Sequence, residues 1–122
     1  MKRAHTELDA WQEGIALVKA MYEATKGFPA EERYGLTSQI RRAAVSIPAN
    51  IAEGAARGTQ KEFLQFLIIA RGSISELETL LTIAKEVGFL SGDKAGDLDK
   101  LCDRVSSRLS GLITSVRNNT TK

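Results

Sequence analysis

The longest regular pattern in the sequence is a row of apolar residues that begins at Phe63 and ends at Ala84. Its members follow one another in alternating steps of four and three: Phe63, Leu67, Ala70, Ile74, Leu77, Leu81 and Ala84. Such steps place side chains on one helix face, and their alternation is typical of helices that pack side by side. Thr59 and Glu62 precede the row with the spacing of a capping box. The pattern therefore predicts a long helix over residues 60–87 that packs against other helices.

Three further segments have helical spacing, over residues 7–26, 38–57 and 93–117. The apolar stripe of the first is Leu8, Trp11, Ile15, Val18 and Tyr22; that of the second is Leu36, Ile40, Ala44, Ile47, Ile51 and Ala55; that of the third is Leu98, Leu101, Val105, Leu109, Leu112 and Val116. Glycine and proline mark the short connections between the segments. We therefore expect one all-α domain over residues 1–122, folded as an antiparallel up-and-down four-helix bundle.

Pro48 lies inside the second predicted helix. Proline removes one backbone donor and crowds the carbonyl four residues earlier, on Ala44. The apolar stripe continues in phase through this position, so the sequence predicts a kink at Pro48 rather than a break.

The residue inventory argues against an enzyme. His5 is the sole histidine and precedes the first predicted helix, so we expect no stable Ser–His or Cys–His pair for nucleophilic catalysis. With one histidine and one cysteine, the chain also lacks a histidine metal motif and an internal disulfide. The glycines form no phosphate-binding loop. We expect no catalytic residue, no metal site and no cofactor. No signal peptide or membrane span is evident, and we expect a cytoplasmic protein that does not contact a membrane.

The third predicted helix carries more apolar residues than one packing seam requires. The surplus residues are Ile69, Leu80, Ile83 and Val87. With the seam they cover about 200° of the helix surface, whereas a surface helix needs a stripe of roughly 100°. Either this helix is the most central in the bundle, or its surplus face packs against a second copy of the chain.

A polar stripe runs beside the apolar stripe of the second predicted helix. Its members are Gln39, Ser46, Asn50, Glu53 and Arg57. Glu53 precedes Arg57 by four residues, which is the favourable order for an ion pair on a helix. The stripe is either a solvated flank or a polar network at a boundary between subunits, and in the second case we expect Gln39, Ser46, Asn50 and Glu53 at the interface.

Positive charge concentrates in the middle of the chain, where residues 33–72 include six basic and two acidic residues. The candidate phosphate-binding residues are Arg41, Arg42, Arg57, Lys61 and Arg71. They present a basic surface for nucleic acid if they meet in an oligomer. The alternative is that they are ordinary solvating charges.

One segment of the second helix resembles a family signature. It spans residues 34–54 and reads YGLTSQIRRAAVSIPANIAEG, and further matches are Trp11, Glu62-Phe63-Leu64, Arg71-Gly72-Ser73 and Glu76-Leu77-Glu78. The chain resembles the four-helix-bundle proteins encoded in bacterial 23S ribosomal RNA intervening sequences. The resemblance implies a ring-shaped homopentamer. It also implies kinship with the accessory variability proteins of diversity-generating retroelements, which bind nucleic acid and a reverse transcriptase through basic surfaces.

Together, the residues and the resemblance predict a non-enzymatic, homo-oligomeric module. Its predicted partners are copies of itself, RNA or DNA, or a nucleic-acid-handling protein. The alternative is an oligomeric protein–protein scaffold with no nucleic-acid role. The two differ in salt dependence, because binding to phosphates weakens as salt rises.

Overall fold

The computed structural model describes residues 4–120, apart from the side chains of Ala4, Thr6 and Thr120. Four α-helices form the bundle: α1 (Asp9–Thr25), α2 (Leu36–Ala55), α3 (Gln60–Glu86) and α4 (Gly92–Thr120). Short 3₁₀ turns lie at Ala4–Glu7 and Ala30–Glu32. Each helix packs against the next, and α4 closes the bundle against α1. The predicted all-α four-helix bundle is confirmed.

Side-chain caps and one left-handed glycine define the helix ends. Thr59 Oγ1 accepts the backbone N–H of Glu62 at 3.1 Å, and its hydroxyl donates to the Glu62 carboxylate, also at 3.1 Å. Gly88 ends α3 with φ of +89°, a conformation that glycine adopts without steric cost. Helix α2 begins at Leu36, two residues earlier than predicted, because the Glu32 carboxylate accepts the Leu36 N–H at 3.0 Å.

The core-facing side of α1 differs from the predicted one. Its buried residues are Ala10, Gly14, Leu17, Met21 and Thr25. The large residues predicted to form the core stripe lie on the flank beside α2, where Ile15 and Tyr22 are exposed. Leu8, Trp11 and Val18 of the predicted stripe are partly buried and pack against the core. The prediction was wrong for Ile15 and Tyr22, and it missed the buried Leu17 and Met21. Gly14 is buried where α1 approaches α2 closely.

Gly14 and Pro48 make that close approach. A Cβ atom added at Gly14 would lie 3.3 Å from Pro48 Cβ. Pro48 is buried, and α2 runs through it without a break. The predicted kink is not confirmed and stays a prediction.

Gly54 permits a tighter contact between α2 and α3. A Cβ atom there would lie 2.7 Å from Phe66 Cβ and 3.0 Å from Phe63 Cδ1. The two helices can approach this closely near their connection only because position 54 has no side chain.

Within the described chain, no helix combines the length and apolar character needed to cross a membrane.

Candidate functional site

A groove of about 600 Å³ lies where the end of α1, the second 3₁₀ turn and the first half of α2 meet. We call it the basic groove, and its lining residues are Tyr22, Arg33, Tyr34, Thr37, Ser38, Arg41, Arg42, Val45 and Ser46. Three of these residues are arginines and two are tyrosines, and none of the described lining residues is acidic. The groove therefore combines positive charge with aromatic surface.

Arg41 is held against α1 by three contacts. Its Nε donates to Thr25 Oγ1 at 2.9 Å, and its Nη2 donates to the Tyr22 carbonyl at 3.4 Å. Its guanidinium lies 4.4 Å from the centre of the Tyr22 ring, a cation–π distance. Thr25 in turn donates to the Met21 carbonyl at 2.8 Å. Arg41 is thus a fixed wall of the groove.

Arg33 and Arg42 have no such partners. Among the described residues, neither side chain forms a hydrogen bond or an ion pair, and both are exposed. Tyr34 is 89% exposed. These three side chains are free to meet a ligand in the groove.

The five basic residues predicted to bind nucleic acid do not form one patch in the single chain. Arg41 and Arg57 are separated by about 24 Å along the axis of α2, at 1.5 Å per residue. Arg57 forms ion pairs with Glu53 at 3.7 Å and Glu62 at 4.0 Å and lies over the Phe66 ring at 4.9 Å. Its charge is therefore largely matched locally.

Lys61 and Arg71 are exposed on α3, apart from the basic groove. Ser73 faces α2 through its contact with Ser46, and Arg71, two residues earlier, lies about 200° around α3 from it, on the flank away from α2. Of the five predicted residues, the groove brings together Arg41 and Arg42.

The polar stripe of α2 divides into two parts. Ser46 and Asn50 contribute to a network inside the chain: the hydroxyls of Ser46 and Ser73 lie 2.8 Å apart, and Asn50 Nδ2 donates to Ser46 Oγ at 3.0 Å. This network ties α2 to α3. Gln39 and Glu53 are exposed, and Glu53 forms the predicted ion pair with Arg57.

The surplus apolar face of α3 is exposed except at one position. Ile69, Ile83 and Val87 are 51%, 44% and 56% exposed, and we call them the α3 row. Leu80 is 6% exposed and belongs to the hydrophobic core, so its assignment to the surplus face is corrected. Its side chain packs into the core although its spacing along the helix places it near the row. Ile68, exposed beside the row, was not predicted.

Acidic residues surround the buried thiol of Cys102. Burial raises the pKa of this thiol to about 12, and Glu78, Asp99 and Asp103 add to the shift. Burial also raises the pKa of Glu78, with Asp103 and Asp99 contributing. A thiol held in its neutral form is a poor nucleophile. Within residues 4–120, no group of His, Cys, Asp and Glu side chains is placed to hold a metal ion.

Sequence reasoning missed Arg33, Tyr22 and Tyr34 as members of the groove. Arg33 and Tyr34 lie in the connection before α2, where no periodicity predicts which way a side chain points. Tyr22 was assigned to the core by the predicted stripe of α1. Tyr34 could have been recognised as a candidate groove residue because it stands at the start of the family signature.

Comparisons with known proteins give the family and support the fold. The model of the 23S rRNA-intervening sequence protein family matches residues 6–111. A crystal structure of a protein with unknown function from the S23 ribosomal protein family of Bacteroides thetaiotaomicron superposes with a TM-score of 0.78, covering 85% of this chain and 97% of that one, at 18% identity. No curated protein is significantly similar to the chain. Because the family model spans most of the sequence, the chain belongs to the 23S rRNA-intervening sequence protein family.

Proposed function

We propose that this protein is a non-enzymatic, homo-oligomeric module that binds nucleic acid, with RNA as its first candidate ligand. One observation carries the nucleic-acid assignment: the basic groove has three arginines, two tyrosines and no acidic residue among the described residues that line it. Phosphates are bound by arginine, and unpaired bases stack on aromatic side chains. The kinship with accessory variability proteins that the sequence resemblance implies adds a nucleic-acid-handling protein as a further proposed partner.

The state of the arginines supports a binding role. Arg33 and Arg42 have no acidic partner among residues 4–120, so binding a phosphate breaks no internal ion pair. Arg57 would first have to separate from Glu53 and Glu62. We therefore place phosphate binding at the basic groove rather than at the end of α2.

The α3 row supports self-association. Three branched aliphatic side chains about half exposed along one helix are costly in water, and burial against a second copy removes that cost. Ile15 is exposed on α1, which packs against α2 and α4 rather than against α3. Contact between two different faces is head-to-tail, and such contacts generate a closed ring when the rotation between subunits closes and a filament when it does not. The ring-shaped pentamer implied by the family resemblance is one such assembly.

The test compares two sets of charge-removing variants by fluorescence anisotropy with a labelled RNA oligonucleotide. Arg33→Gln combined with Arg42→Gln removes the two free arginines of the groove. Lys61→Gln combined with Arg71→Gln is the matched control, because it removes the same charge from exposed positions of α3 outside the groove. We expect the groove double variant to lose affinity about tenfold or more. We also expect the slope of log affinity against log salt concentration to decrease in magnitude by about two, because each Lys or Arg contact with a phosphate contributes about one to that slope. We expect the control with Lys61→Gln and Arg71→Gln to bind within about twofold of the wild type. Equal losses in both would contradict the groove as the site.

A protein–protein scaffold is the second candidate, and the α3 row is the observation that favours it. A scaffold of this kind would associate through apolar contacts that moderate salt does not weaken. Addition of the protein would then leave the anisotropy of the labelled RNA unchanged at every salt concentration, while the oligomer persisted. That result would favour the scaffold over the nucleic-acid module.

A further inference from the structure

We infer that the basic groove takes an unpaired nucleotide, with its base stacked on Tyr34 and its phosphate on Arg42 and Arg33, so that the protein selects single-stranded over double-stranded nucleic acid. This inference rests on the proposed function and adds the form of the ligand. It depends on which aromatic and basic side chains of the groove are exposed and which are occupied by contacts within the protein.

Tyr34 offers a free aromatic surface. It is 89% exposed, far more than any other large apolar or aromatic side chain among the described residues. It lies next to Arg33 at the mouth of the groove, outside any α-helix. A base that stacks on a tyrosine gains affinity without sequence preference, because every base has a flat π surface.

One face of the Tyr22 ring is covered by a contact within the protein. The Arg41 guanidinium lies 4.4 Å from its ring centre, and Arg41 is fixed by Thr25 and by the Tyr22 carbonyl. Tyr22 and Arg41 therefore form a preorganised wall. Because Arg41 is held in this wall, Arg42 and Arg33 are the arginines left to contact phosphate.

The ligand must be single-stranded for a geometric reason. In a duplex, the faces of the bases are stacked inside the helix, and an aromatic side chain at the surface cannot reach them. A protein that used only Arg33 and Arg42 would bind both forms through their phosphates. Stacking of a base on Tyr34 therefore distinguishes single-stranded from double-stranded nucleic acid.

The test measures anisotropy with two probes, a labelled single-stranded RNA of about ten nucleotides and the same strand annealed to its complement. The wild type is expected to bind the single strand at least about tenfold more tightly than the duplex. Tyr34→Ala is expected to weaken single-strand binding about tenfold and to leave duplex binding unchanged, given the usual contribution of one stacked base. Tyr34→Phe keeps the aromatic ring and is expected to bind both probes like the wild type.

Folding does not complicate these variants, because Tyr34 is almost fully exposed, and circular dichroism of each variant checks this. Equal affinity for the two probes, or single-strand binding that Tyr34→Ala leaves unchanged while Arg42→Gln weakens it, would overturn the inference and leave the proposed function in place. Failure of the wild type to bind either probe at low salt would overturn both.

Discussion

Gly54 is a residue whose importance comes from the absence of a side chain. The position that its Cβ would occupy lies 2.7 Å from Phe66 Cβ, a distance that real Cβ contacts do not reach. Phe66 also supports the guanidinium of Arg57. A side chain added at position 54 would therefore disturb the α2–α3 contact and the side chains around it.

We expect Gly54→Ala to lower the free energy of unfolding by about 1–3 kcal/mol, the usual cost of forcing an extra carbon into a packed contact. Gly72→Ala is the matched control, because it lies inside α3 with nothing within 4 Å of its added Cβ. Alanine there should raise stability by about 0.5–1 kcal/mol, since glycine is the poorer helix former. Urea denaturation measures both, and a stabilising Gly54→Ala would contradict the close approach.

Cys102 makes stability depend on alkaline pH. Its pKa is raised from 9.0 to about 12 in the folded protein, so above pH 9 the unfolded chain loses this proton while the folded chain keeps it. The stability contributed by the neutral thiol is complete below pH 9 and is lost as pH rises towards 12. We expect a loss of about 1.4 kcal/mol by pH 10, which corresponds to one pH unit above the unfolded pKa.

The measurement is the free energy of unfolding at pH 8 and pH 10 for the wild type and for Cys102→Ala. The variant starts from a lower stability, because it leaves a small cavity, but it should lack this part of the pH dependence. Identical changes with pH in the two proteins would show that the thiol is not shielded.

At the scale of elements, the sequence predicted the number and order of the helices because their apolar spacing and turn residues agree. It failed for part of the α1 face, because the predicted stripe included the exposed Ile15 and Tyr22 and omitted the buried Gly14, Leu17 and Met21. The need for a small residue at Gly14 comes from Pro48 on another helix, and no local pattern contains that information. The basic groove was missed for a related reason, since Arg33 and Tyr34 acquire their positions from a non-periodic connection.

The cap of α3 gives a prediction for an element end. Thr59 Oγ1 accepts the Glu62 N–H, and Thr59→Ala removes that acceptor. We expect a loss of about 1 kcal/mol in the free energy of unfolding. Thr82→Ala makes the same chemical change inside α3, where the hydroxyl bonds only to the Glu78 carbonyl of its own helix, and should be neutral or slightly stabilising. Thermal denaturation separates the two, and equal effects would argue against the cap.

At the scale of the whole molecule, apolar and basic side chains lie on different parts of the bundle surface. The α3 row is apolar, whereas the basic groove lies at the end where α1 and α2 are connected. The sequence anticipated a surplus apolar face on α3, but the burial of Leu80 shows that the face is narrower than its spacing suggests.

Ile83→Asp tests the role of the α3 row. Ile83 is 44% exposed in the single chain, so a charge there leaves the bundle folded but is unfavourable in a contact between copies. We expect a helical protein with the mass of one chain. Thr82→Asp adds the same charge at an exposed position of α3 that lies about 100° around the helix from Ile83, and it should keep the assembly. Unfolding of Ile83→Asp in circular dichroism would instead place Ile83 in the core.

The most direct test of the central claim, self-association combined with RNA binding, is light scattering coupled to size-exclusion chromatography. The wild-type protein is run alone and with a mixed RNA pool, at low and at moderate salt. We expect a stable multi-chain assembly under both conditions, with a mass that increases in the presence of RNA at low salt and much less at moderate salt. A single chain whose mass and elution are the same with and without RNA at low salt would contradict both parts of the claim.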